Sequence, residues 1–151
     1  KPTGHRDLDY IELFREELLL AVSPDWGLGR EPLHDEGLHS RYPVFDYHSL
    51  DGYPFLVMKE GQELRHSFFA LVEALDISPT VALETTDMAT AQTLAGIGVG
   101  AALANIPAVE PKYFSLRAYL DDWDVVLAYK RGRYLSKADK AVIRVICDVA
   151  G

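Results

Sequence analysis

The chain has 151 residues, 48% of them hydrophobic, with 15 basic and 23 acidic side chains and a formal charge of −8. That length suits one domain with a real core, and the acidic balance excludes general polyanion binding, which needs clustered Lys and Arg to release counterions. The single cysteine, Cys147, excludes an internal disulfide framework and fits a reducing compartment, while no apolar run approaches the ~20 residues that cross a bilayer.

The start of the chain, "KPTGHRDLDY", carries no apolar stretch, so no export signal is expected and the cytoplasm is the expected location. From Glu17, "ELLLAVS" reads as a buried strand by length and apolarity. Residues 24–53 are dense in Gly, Pro, His and Asp. Structureless loops beyond ~12–15 residues are uncommon, so part of this stretch is expected to fold as a short helix or dock on the core. "PFLVM" at 54–58 reads as the next strand.

The segment that follows is the clearest helix, with Leu64, Phe68, Leu71, Val72 and Leu75 forming one apolar stripe. "TVALE" at 80–84 is an expected strand. Thr86 then reads as the N-cap of "DMATAQTLA", with Asp87 favourable at the positive helix end and Gly96 as a stop. "AALANI", "FSLRAYL" (114–120) and "DVVLAY" (124–129) are further expected strands. "YKRGRYLSKADK" (129–140) reads as a solvated turn leading into the last helix, where Ser136 and Asp139 make a capping-box-like pair. Val142, Val145, Ile146 and Val149 are that helix's expected buried stripe, with Cys147 a packed thiol. Strands alternating with helices predict an α/β fold with a mostly parallel sheet and helices on both faces.

"TLAGIGVGAALANIP" (93–107) places glycines at 96, 98 and 100 and invites a nucleotide-binding reading. In a dinucleotide fingerprint the glycine turn follows a strand and opens a helix. Here a helix precedes the glycines and a strand follows, so a phosphate would meet a helix C-terminus, whose partial charge is negative. The glycines are turn chemistry, and no cofactor is expected.

That reversed order resembles LysR-type transcriptional regulators. "TTDMATAQTLAGIGVGAALANIP" is similar to the family's helix, "aGiGvallP"-like turn and strand. "FREELLLAVSPDWGL" resembles its crossing strand, although Trp26-Gly27-Leu28 stands where the family tends to have His-Pro-Leu. "LDGYPFLVMKEGQELRHSFFALVEALDISPTVALETTD" and "VVLAYKRGRYLSKADKAVIRVI" fit the strand, helix and closing segments. The resemblance implies an effector-binding domain of the periplasmic-binding-protein type 2 fold, whose two subdomains hold a small ligand, often an acid, in a cleft. Within that scheme residues 1–53 are the remnant of the first subdomain with the crossing strand and linker, and 54–151 the second subdomain. The family's winged helix-turn-helix and the first half of subdomain one have no counterpart in these residues. Expected partners are a small-molecule effector and further copies in a dimer or tetramer, with DNA contacted only through a domain outside this chain and no membrane contact.

In the family, the loop after the second subdomain's first strand faces the ligand, which on this sequence is "KEGQELRHSF". The resemblance therefore names Gly61, Gln62, Glu63, Leu64, Arg65 and His66 as effector-binding candidates. Exposed N–H groups at a helix start favour an anion, Gly61 permits close approach, Gln62 can donate, and Arg65 can pair with an acid. Glu60 and Glu63 would repel an anion, which leaves a neutral or cationic effector open. A solvated first turn is the plainer reading. Thr86 and Thr85 are the second pair of candidates, against a role as caps alone.

"HDEGLH" offers His34, Asp35, Glu36 and His39, but the histidines are five apart with glycine between, unlike the four-residue spacing of helical metal pairs, so no metal is expected. His48 and His66 read as partly buried polar side chains. No Gly-x-Ser-x-Gly elbow is present and nothing points to catalysis. The rival readings are an extracytoplasmic solute-binding protein of the same fold, a small α/β enzyme, and an interaction module that has lost its ligand.

Overall fold

The computed structural model describes residues 5–29, 33 and 35–151. These form two compact units, one of the residues up to Glu16 with Asp122–Gly151, the other of Glu17–Asp121. In the first, β1 (Leu8–Glu16) pairs antiparallel with β7 (Trp123–Lys130), and α3 (Lys137–Ala150) packs on β1. The units divide at 16/17 and 121/122.

The larger unit is a five-stranded sheet in the order β4-β3-β5-β2-β6. Its strands are β2 (Leu19–Val22), β3 (Pro54–Met58), β4 (Thr80–Thr85), β5 (Ala101–Ala104) and β6 (Lys112–Ser115). β3 is apolar along its length because both its faces are covered. The Phe55 ring meets Phe68 of α1 (Glu63–Leu75) at 5.3 Å. Leu56, on the opposite face, packs with Ala91 and Ala95 of α2 (Met88–Gly96). The small residues of β5 and α2 let that helix lie close to the sheet. Gly100 belongs to the same economy of space, since a Cβ there would sit 3.1 Å from the Pro54 carbonyl oxygen.

The expected mostly parallel sheet is corrected to a mixed one. Only β4, β3 and β5 run parallel, whereas β2 is antiparallel to both β5 and β6. A buried apolar strand reads alike in either direction, and a parallel neighbour requires a crossover that β2 lacks, because it opens into residues 23–53. The described residues of that stretch contain three 3₁₀ turns, Pro24–Trp26, Glu36–Leu38 and Tyr47–Leu50. It docks through buried Phe45, Tyr47 and Leu50, with Phe45 4.5 Å from the Phe114 ring.

Smaller differences have local causes. β6 starts two residues before the expected 114–120 strand and ends at Ser115. Gly96 lies inside α2, where a Cβ would come 2.7 Å from the Glu110 Cβ, and the left-handed turn residue is Gly98 at φ 87°. On α3 the expected buried stripe is rotated: Val142, Val145 and Val149 are exposed, while Ile143, Ile146, Cys147 and Ala150 are half-buried. The Ser136–Asp139 capping box is present in full. His48 and His66 are exposed rather than partly buried.

Candidate functional site

Parallel β3, β4 and β5 end at one edge of the sheet, and α1 and α2 begin there because each follows its strand directly. This carboxyl edge is where open α/β sheets bind ligands. The Lys59 N–H donates to the Thr85 carbonyl at 2.9 Å, and the Gln62 N–H donates to the Lys59 carbonyl at 3.2 Å. The loop after β3 is thereby tied on one side to the end of β4 and on the other to the start of α1.

Gly61 takes φ 87° with open space where a Cβ would stand. Gln62 is the N-cap of α1, yet its side chain makes no capping hydrogen bond. Glu63 is exposed in the first turn, where its charge complements the helix dipole. Leu64 points the other way and is buried in the core. His66 is exposed.

Arg65 is committed elsewhere. Its Nη1 donates to the Met58 carbonyl at 2.9 Å and to Glu84 Oε1 at 2.7 Å, and its guanidinium lies over the Phe69 ring at 5.2 Å. The side chain clamps the end of β3, β4 and α1 together, with its charge already answered. Glu84, its partner, was not singled out from the sequence, since nothing local signals a pairing across 19 positions.

The second pair of candidates divides its labour. Thr86 does not cap α2. Asp87 does, accepting from the N–H groups of Ala89 (3.3 Å) and Thr90 (3.0 Å), because the helix starts one residue later than its sequence pattern suggests. The Thr90 hydroxyl first, and the Thr90 and Ala89 N–H groups besides, hold the Asp87 carboxyl below the usual range. Thr85 Oγ1 accepts from the Asp87 N–H at 3.1 Å. Thr86 is left exposed at the start of α2, and among the described residues no side-chain partner engages its hydroxyl.

β2 begins and β6 ends at the same edge, Leu19 lying opposite both Ala104 and Ser115. Here Glu17 Oε1 accepts from the Ser40 and Ser115 hydroxyls, each at 2.5 Å, and Oε2 lies 3.7 Å from Arg117 Nη1. Arg117 Nη1 also donates to the carbonyls of Leu38 (3.2 Å) and His39 (2.5 Å). The Tyr47 hydroxyl donates to the Ser115 carbonyl, and burial first, then Tyr119 and Glu17, push its pKa up. This cluster fastens residues 36–47 to the sheet; its members are scattered in sequence and were missed for that reason.

His34 lies outside the described residues. Asp35 caps the following turn by accepting from the Gly37 N–H at 2.9 Å, and His39 adopts a left-handed conformation at φ 49°. Among the described residues no group of three or more His, Cys, Asp or Glu is placed to hold a metal. No described helix is long and apolar enough to cross a membrane.

Comparison with known proteins agrees with this architecture. Residues 1–150 match the family described as LysR substrate binding domain. No curated protein sequence matches the chain. Among solved structures it is similar to the effector binding domain of QuiR in complex with shikimate, at 17% identity and TM-score 0.73, covering 99% of this chain and 68% of that one. It is also similar to the CcmR regulatory domain of Synechocystis PCC6803 in complex with 2-PG, at 15% identity and TM-score 0.77, covering 99% and 70%. HinK, a LysR family transcriptional regulator from Pseudomonas aeruginosa, matches at 14% identity and TM-score 0.71 over all of this chain but only 51% of its own. Identities this low speak to the fold, and the family match over nearly the whole length speaks to kinship. The chain belongs to the LysR substrate-binding-domain family.

Proposed function

We propose that this chain is the non-enzymatic effector-binding part of a LysR-type transcriptional regulator, and that a small polar molecule docks at the carboxyl edge of the five-stranded sheet. The observation that carries the reading is the pair of helix starts at one edge, with the Gln62 amide making no cap and the Thr86 hydroxyl unengaged. Helix-start N–H groups and uncommitted donors suit the oxygen-rich face of a metabolite. The similar domains of QuiR and CcmR, bound to shikimate and 2-PG, support a small-molecule effector here.

The effect on transcription follows from linkage. A ligand that prefers one arrangement of the regulator shifts its population, and a DNA-binding domain outside these residues reports that shift at an operator. Self-association as a dimer or tetramer, in the cytoplasm, completes the proposal. Glu63, Arg65 and His66 frame the site, Gly61, Gln62, Thr85 and Thr86 face the ligand, and Leu64 supports them from the core.

A thermal-shift screen of this chain against small metabolites tests it, since a ligand that binds only the folded state raises the melting temperature. Thr86→Val and Gln62→Ala are each expected to weaken the hit about tenfold while leaving the ligand-free melting temperature in place. Hits whose affinity neither substitution changes would move the site elsewhere.

A further inference from the structure

We propose that residues 35–42 form a flap at the carboxyl edge of the larger unit, closed by a latch centred on Glu17 and opened without unfolding the sheet. The flap gates the end of the edge where β2 starts and β6 finishes. The inference goes beyond the proposed effector site and does not require it, because opening is read on the ligand-free chain.

The stretch after β2 is held in two different ways. Residues 45–50 are anchored by burial, through Phe45, Tyr47 and Leu50, with the Phe45 ring 4.6 Å from Tyr47 and 4.5 Å from Phe114. Between 35 and 42 no residue is buried, and only Leu38, Ser40 and Tyr42 are half-buried. The stem of this loop is pinned. Leu33 and Val44 each donate an N–H to the other's carbonyl at 2.9 Å, and the Ser115 N–H donates to the Pro43 carbonyl at 3.0 Å. A segment without buried apolar side chains, carried on a fixed stem, opens at a lower free energy than the core.

The bonds that hold the flap down are mainly polar. The Ser40 hydroxyl donates to Glu17 Oε1 at 2.5 Å while accepting from the Tyr42 N–H at 3.0 Å. The Ser115 hydroxyl donates to the same carboxylate oxygen, and Arg117 Nη1, 3.7 Å from Glu17 Oε2, grips the Leu38 and His39 carbonyls. One carboxylate and one guanidinium thus join the flap to the start of β2 and the end of β6. The Glu17 side chain is only 13% exposed, so the loss of one donor there is felt more than at an open carboxylate. Under this grip His39 holds φ 49°, a left-handed conformation that a residue with a Cβ keeps only where its surroundings impose it. Releasing the latch relieves that strain, which poises the flap to open. Tyr42 adds an apolar contact, its ring 6.3 Å from Tyr113 and packed on the same cluster as Met88, the first residue of α2. Opening therefore uncovers the Tyr113 ring and the Glu17 carboxylate together.

The experiment is trypsin digestion of the full folded chain across a urea series, with mass mapping of cleavage after Arg41, which stands exposed on the flap. In the wild type this cut is expected well below the global unfolding transition, at a rate almost independent of urea, as a local opening gives. Ser40→Ala and Glu17→Gln should each raise the rate about tenfold, the worth of one hydrogen bond to a charged group. Ser40→Ala is expected to leave the unfolding temperature in place, and Ser40→Thr, which keeps the hydroxyl, to cut at the wild-type rate. Cleavage after Arg41 that follows the urea dependence of global unfolding overturns the flap. Cleavage through a local opening, at a rate that neither Ser40→Ala nor Glu17→Gln changes, overturns the latch.

Discussion

The two compact units carry equally clear hydrophobic patterns and use them differently. In the larger unit, the stripe read on α1 is the stripe buried, with Leu64, Phe68, Leu71 and Leu75 all inside, and every fully buried residue of the described chain lies between positions 18 and 116. In the smaller unit α3 has an equally regular apolar repeat, yet no residue of that helix is fully buried and Val149 remains 82% exposed. A hydrophobic period states which face a helix can bury; only the elements packed around it decide which face does.

Core truncation should break the symmetry between the units most visibly. Phe55→Ala removes a side chain buried against Phe68 and is expected to cost about 3–5 kcal/mol in denaturant unfolding. Next comes Gly98→Ala, which forces φ 87° on a residue with a Cβ and places that atom 3.1 Å from Trp26 Nε1. About 1–3 kcal/mol is expected from thermal melts. Arg65→Ala should cost about 1 kcal/mol or less, because the Glu84 pair is partly exposed and screened, with the lost ring contact included.

Titration sharpens the same contrast. Asp87 in the larger unit and Asp139 in the smaller both have carboxyls held below their ordinary 3.8 in the fold. Each contributes stability that is present above 3.8 and lost as pH falls through the lowered value, so the acid limb belongs to both units. Tyr47, whose pKa is raised chiefly by burial, contributes stability that is present below its ordinary value of 10.0 and lost as pH rises through the raised one. Tyr113 shifts the same way, by burial first. The steepest alkaline loss should therefore come from the larger unit, and Tyr47→Phe should flatten it in melts above pH 10. The smallest effect is expected for Val145→Ser on α3, within about 0.5 kcal/mol, since that side chain is already 60% exposed.

Much of this architecture was legible locally. β3 at Pro54–Met58, the apolar face of α1 and the Ser136–Asp139 box follow from period and capping chemistry over a few residues. What was not legible depends on distant partners. The direction of β2 is set by Leu19 meeting Ala104 and Ser115, and the first unit exists because Leu8 pairs with Lys130 across the whole chain. The candidate site shows the same division. Its loop could be located from "KEGQELRHSF", but Arg65 looked like an anion receptor because its partner Glu84 sits on another strand. Thr86 and Asp87 are both good caps in sequence, and the backbone geometry chose the second, which freed the first.

Hydrogen–deuterium exchange with and without a bound hit locates the effector site proposed at the carboxyl edge of the larger unit. Ligand-dependent protection is expected in residues 59–66 and 85–90, which hold the loop after β3 and the starts of α1 and α2. Protection confined to α3 and the β1–β7 pair, with those segments unchanged, would contradict it.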